Sequence, residues 1–99
     1  MRDLLNKRYW PSPEVRLRVV GGEAIILDLA SEEIFRLNET GTRVWQLLVE
    51  HHVPSAVLQI LLEEHDVEEA TLRDDMTGLV EQLLETGLIT DREPSIKEA

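Results

Sequence analysis

The stretch from Ile25 to Trp45 most limits what this chain can fold into, because its apolar pattern changes period once, at Asn38. Before that point Ile25, Leu27 and Leu29, then Phe35 and Leu37, recur at every second residue, the spacing of strands. After it Gly41, Val44, Trp45 and Leu48 recur at helical spacing, with Leu47 beside them. Two adjacent strands therefore run straight into an amphipathic helix. The second of the two is left at a sheet edge, where a row of unpaired backbone N–H and C=O groups can capture another extended chain.

The flanks complete a meander. Val15, Leu17 and Val19 alternate with Arg16 and Arg18, which predicts a half-buried first strand. Gly21-Gly22 then suits a two-residue hairpin whose turn needs positive φ. A second strand over about 23–29 and a third over about 33–37, burying Phe35 and Leu37, follow with a short turn at Ala30-Ser31-Glu32 between them. Asn38 is a good N-cap for a first helix over about 39–50. Pro54 suits the first position of a second helix that buries Val57, Leu58 and Leu61, with Ile60 and Leu62 widening its apolar face. Asp66 and Glu69 have capping-box spacing ahead of a third helix over about 67–86. That helix buries Leu72, Met76, Leu79, Val80 and Leu83, with Leu84 at its margin. Gly87 is the expected left-handed cap, and Leu88–Thr90 a short extended return. Residues 1–13, ending in Trp10-Pro11-Ser12-Pro13, read as an extended lead-in, residues 14–90 as one domain, and residues 91–99 as a charged, frayed tail.

Composition narrows the chemistry. The chain has no cysteine, so disulfides and thiolate catalysis are excluded. Its apolar runs are too short to span a membrane and its start lacks a signal-peptide core, which makes the cytoplasm the expected compartment. The net charge of −10 falls entirely in residues 44–99, with thirteen acids against three basic residues. Phosphate binding needs the opposite sign. His51 and His52 are adjacent and project differently, while His65 is remote from both, so they read as surface histidines and no metal is expected. The carboxylates follow the polar faces of helices, which suits solvation better than acid–base work. No cofactor and no catalytic residue are predicted.

The last two helices and the extended return have the outline of a winged helix-turn-helix, which invites a reading as a DNA-binding regulator. The six acids and one arginine of residues 67–86 oppose it. A dimerisation or scaffold module using Ile60 and Leu62 is a third possibility, and the chain is expected to be a monomer or weak homodimer. The groove between the third strand and the third helix is the remaining candidate site. Its residues also have a plain reading, Ile34 as a strand former and Met76 and Val80 as ordinary core.

The segments Leu27-Asp28-Leu29, Phe35-Arg36-Leu37-Asn38-Glu39-Thr40-Gly41-Thr42-Arg43-Val44-Trp45 and Leu83-Leu84-Glu85-Thr86-Gly87-Leu88-Ile89 resemble the PqqD family, also called RiPP recognition elements. The likeness spans about residues 14–90. It implies an α+β, winged helix-turn-helix-like domain of three antiparallel strands followed by three helices, without catalysis. It further implies that the leader of a ribosomally made precursor peptide pairs with Glu33, Ile34, Phe35, Arg36 and Leu37. The helical wall would draw on Arg73, Met76, Thr77, Val80 and Leu84. The partner would be a modifying enzyme, namely a leader peptidase, a cyclase or a radical-SAM enzyme, with a lasso-peptide pathway the nearest setting within the family. Two departures stand out. Glu32 occupies a turn position where the family often has Gly, and Val53 a cap position where Ser or Thr is common.

Overall fold

The computed structural model describes residues 4–93. After a 3₁₀ turn at Leu4–Asn6 the elements run β1 (Trp10–Pro11), β2 (Val15–Val20), β3 (Glu23–Asp28), β4 (Glu33–Leu37), α1 (Glu39–His51), α2 (Pro54–Glu64), α3 (Glu69–Glu85) and β5 (Ile89–Thr90). Two antiparallel sheets result, β2-β3-β4 with β3 central, and the small pair β1-β5. The fold is thus the predicted three strands followed by three helices. Of the tail expected from Asp91 onward, residues 94–99 lie outside the described residues, as do residues 1–3 of the lead-in.

Local chemistry accounts for the boundaries. Gly21 and Gly22 both have positive φ, +61° and +81°, so their turn carries the twist that a two-residue hairpin requires. Asn38 Oδ1 accepts from the Gly41 N–H at 2.8 Å and starts α1. At the end of α3, Gly87 at φ +79° lets its own N–H reach Leu84 O and the Leu88 N–H reach Leu83 O, closing the helix in a left-handed cap. Glu32 has φ +62°, so the turn does use a conformation that favours Gly. Val53 precedes α2 in an extended conformation and its side chain makes no cap bond, leaving Pro54 to begin the helix.

Two expectations need correction. The capping box led by Asp66 does not form. The chain stays extended through Glu68, and the first backbone bond of α3 joins the Leu72 N–H to Glu68 O, two residues later than expected. The first strand is not half-buried. Only Val15 is partly covered, while Leu17 and Val19 are 37% and 43% exposed, because β2 is the sheet edge farthest from the helices. The lead-in packs into the fold. Leu5 and Tyr9 are fully buried, and Trp10 and Pro11 pair with Thr90 and Ile89. The same segment packs on α2, and Ile60 and Leu62 are partly buried against the core.

The helical side of the sheet is formed by Ala24, Ile26 and Asp28 of β3, all buried. They meet Val44, Trp45, Leu47 and Leu48 of α1, Val57, Leu58 and Leu61 of α2, and Met76, Val80 and Leu83 of α3 in one core. Asp28 is tolerated there because its Oδ1 accepts the Ala30 N–H at 3.0 Å, satisfying the buried carboxylate at the turn.

Candidate functional site

The directions of the backbone groups in β4 follow from the turn before β3. With a two-residue turn at Gly21-Gly22, Val20 and Glu23 form the closing hydrogen-bonded pair, and pairs alternate from there. Odd-numbered residues of β3 therefore bond towards β2 and even-numbered ones towards β4. Thr42 agrees. Its Oγ1 accepts the Ala24 N–H at 2.8 Å and donates to Leu37 O at 3.2 Å, bridging the last rung between β3 and β4. Glu33, Phe35 and Leu37 thus face β3 with their backbone groups. Those of Ile34 and Arg36 face outward, and the sheet has no strand beyond β4 among the described residues.

Beside this open edge runs a trough. Its β4 wall is Phe35, Arg36 and Leu37, and its α3 wall is Leu79, Gln82, Leu83 and Thr86, with Leu88 below. This part holds a cavity of about 190 Å³. It continues past Asn38, Thr40 and Gly41 at the start of α1 and Asp75 of α3, where a further 450 Å³ opens. The strand alternation predicts Phe35 and Leu37 as buried. They are only half-buried, because α3 stands off from β4 and leaves their inner faces to the trough. A strand laid along β4 would cover them.

The predicted residues separate into two groups. Glu33 to Leu37 form β4 as anticipated, with Phe35 and Leu37 directed at the trough, Ile34 exposed on the opposite face of the sheet, and Arg36, on that outer face by register, also bordering the trough at the strand edge. The five helical positions lie elsewhere. Met76 and Val80 are 2% and 0% exposed in the core. Arg73 holds Glu69 at 3.0 Å, Thr77 Oγ1 donates to Arg73 O at 2.8 Å, and Leu84 packs against the core from another side. None of the five lines the trough. The residues that do, Asp75, Leu79, Gln82, Leu83 and Thr86, follow helical spacing and mix apolar with polar types. Such a boundary stripe is what a surface groove requires, and periodicity alone does not separate it from the core stripe one residue round the helix.

Two further features frame the site. Past Thr40 the trough meets a cleft containing Arg43 and Glu64, whose side chains bond and tie α1 to α2. The Arg43 guanidinium, donating to the Glu64 carboxylate, holds that carboxyl below its usual range, and Glu64 raises Arg43 in return. On the other side of the molecule His52 is not the surface residue expected. Its Nδ1 lies 3.1 Å from Tyr9 O and its ring centroid 5.4 Å from that of Trp10, so it anchors the lead-in.

Comparison with known proteins agrees with this architecture. The family model for coenzyme PQQ synthesis protein D (PqqD) matches residues 23–89, from the start of β3 to β5 and without β2. Among solved structures, a lasso peptide synthetase B1 complexed with the leader peptide is 30% identical, with a TM-score of 0.76 over 84% of this chain and 98% of that one. TbiB1 in complex with the TbiA(beta) leader peptide shares the fold at a TM-score of 0.79, with 24% identity over 86% of this chain and 99% of that one. No curated protein matches the chain.

Proposed function

The chain belongs to the PqqD family, and we propose that it binds the leader segment of a ribosomally synthesised precursor peptide by strand addition to β4 and holds it for a modifying enzyme. The observation that carries this reading is the pair of outward backbone rungs at Ile34 and Arg36 beside a trough with apolar walls. Supporting it, the solved relative at 30% identity is complexed with a leader peptide.

The division of labour follows from energies. Each main-chain hydrogen bond made by the guest contributes a net of roughly 0.5–1.5 kcal/mol, and only two residues of β4 can donate and accept them. Such bonds set direction and register and carry no sequence information. Guest side chains that point inward would cover Phe35 and Leu37 and pack on Leu79 and Leu83. That burial, at about 25 cal/mol per Å², supplies most of the affinity and discriminates between guests. The binding surface thus comprises residues 33–37 with Asp75, Leu79, Gln82, Leu83 and Thr86.

This is a binding function rather than an enzymatic one. Holding the leader raises the effective concentration of the rest of the precursor at the partner enzyme, a leader peptidase, cyclase or radical-SAM enzyme, so reaction there becomes faster without new bond chemistry here. A lasso-peptide pathway is the nearest setting, and the cytoplasm the compartment.

The test is a titration of isotopically labelled protein with the leader peptide held by the solved relative at 30% identity. Saturable binding should slow exchange of the Ile34 and Arg36 amides and shift Leu79, Gln82 and Thr86. Absence of binding, or binding that leaves those amides untouched, would overturn the assignment.

A further inference from the structure

The outer face of the sheet, turned away from the helices, reverses the charge of the molecule. Directly opposed residues in neighbouring strands share a face. Arg16 opposes Leu27, which opposes Ile34, and Arg18 opposes Ile25, which opposes Arg36. Two rows therefore cross the outer face, Arg16–Leu27–Ile34 and Arg18–Ile25–Arg36. The acid on these strands that shares the face is Glu23, opposite Val20 at the far end. This patch is net positive in a chain of net charge −10.

Both rows stop at the open edge. Ile34 is 70% exposed, the most exposed large apolar side chain among the described residues. Arg36 is exposed and makes no ion pair with a described residue, whereas Arg43 and Arg73 hold Glu64 and Glu69. A guest strand on β4 would add one residue to each row, whether it ran parallel or antiparallel. Cross-strand neighbours favour apolar against apolar and opposite charge against charge, while like charges repel.

We propose that Ile34 and Arg36 read the outward side chains of the guest strand, selecting an apolar residue beside Ile34 and, two positions away, a carboxylate beside Arg36. This rests on strand addition and adds a second, outward set of specificity contacts to the inward ones in the trough. The acidic remainder of the chain makes the selection sharper, since Arg36 is the cation of β4 and a guest carboxylate turned into the trough near Asp75 would meet like charge. Arg18 lies two strands from Arg36, roughly 10 Å away, and acts only through the screened field.

Two synthetic strand peptides test this, identical in their inward Leu and Val residues and in one outward Val, and carrying either Glu or Lys two positions from that Val. Titrated into the full chain at low salt, the Glu peptide should bind about three- to tenfold more tightly than the Lys peptide. Arg36→Glu should invert the order, while Arg18→Glu, an equal change of net charge, should change the ratio by less. Equal affinities, or an unchanged preference in Arg36→Glu, would overturn the inference while protected Ile34 and Arg36 amides left strand addition standing. Binding of both peptides without protection of those amides would overturn strand addition and the inference together. Self-association through β4 that excludes peptide would also overturn it.

Discussion

One hydroxyl joins the sheet to the helices. Thr42 is 3% exposed and occupies the place of a direct rung between Ala24 and Leu37, so the end of β4 and the first turn of α1 share a hydrogen-bonded unit. Two neighbouring residues carry predictions. Ile34→Pro removes an N–H that faces away from β3, which an edge strand tolerates, so the variant should keep its helical circular dichroism. Its leader affinity should fall about tenfold or more with the lost rung and the altered edge. Unchanged affinity in the folded variant would contradict pairing along β4. Glu32 pays a conformational cost at φ +62°, so Glu32→Gly should stabilise the protein by about 0.5–1 kcal/mol in urea denaturation. Destabilisation would show that the Glu32 side chain has a role beyond the turn.

At the scale of elements, α3 has two working faces. Met76 and Val80 hold the core, Asp75, Leu79, Gln82 and Thr86 form one wall of the trough, and Leu83 lies between the two and serves both. These roles separate experimentally. Leu79→Glu places a charge in a half-open trough and should weaken leader binding at least tenfold, with a loss of stability of about 1 kcal/mol. Met76→Ala should do the reverse, costing about 2–4 kcal/mol in stability through a core cavity and leaving the wall residues in place. If Met76→Ala abolished binding in a protein that still melts cooperatively, the two faces would not be independent. The same helix explains why a winged-helix outline does not make a DNA reader here. Its exposed positions include Asp74, Asp75, Glu81 and Glu85, which repel a phosphate backbone.

For the whole molecule, the lead-in acts as a strap. The Tyr9 N–H donates to His52 O at 2.8 Å and the Tyr9 hydroxyl to Leu4 O at 2.7 Å, while β1 pairs with β5. Residues 4–11 are thereby fastened to the ends of α1 and α3. A domain of this size has only modest stability to lose. Tyr9→Ala should cost about 3–5 kcal/mol and lower Tm by on the order of 15 °C or more in calorimetry. A shift of only a few degrees would mean that the strap is dispensable.

Periodicity alone determined the order and type of the principal elements, since each segment must direct its apolar residues to one side. Local chemistry at Gly21-Gly22, Asn38 and Gly87 placed three of their boundaries. The motif from Phe35 to Trp45 pointed to the family. Tertiary structure decided what each exposed or buried position does. Leu17 and Phe35 look alike in their strands, yet one lies on an uncovered edge and the other lines a trough. Likewise Met76 and Leu79 differ by less than one helical turn, and only the placement of β4 makes the first core and the second wall. Burial and accessibility depend on which surfaces meet across the chain, and a period along the sequence carries no information about that distance in space.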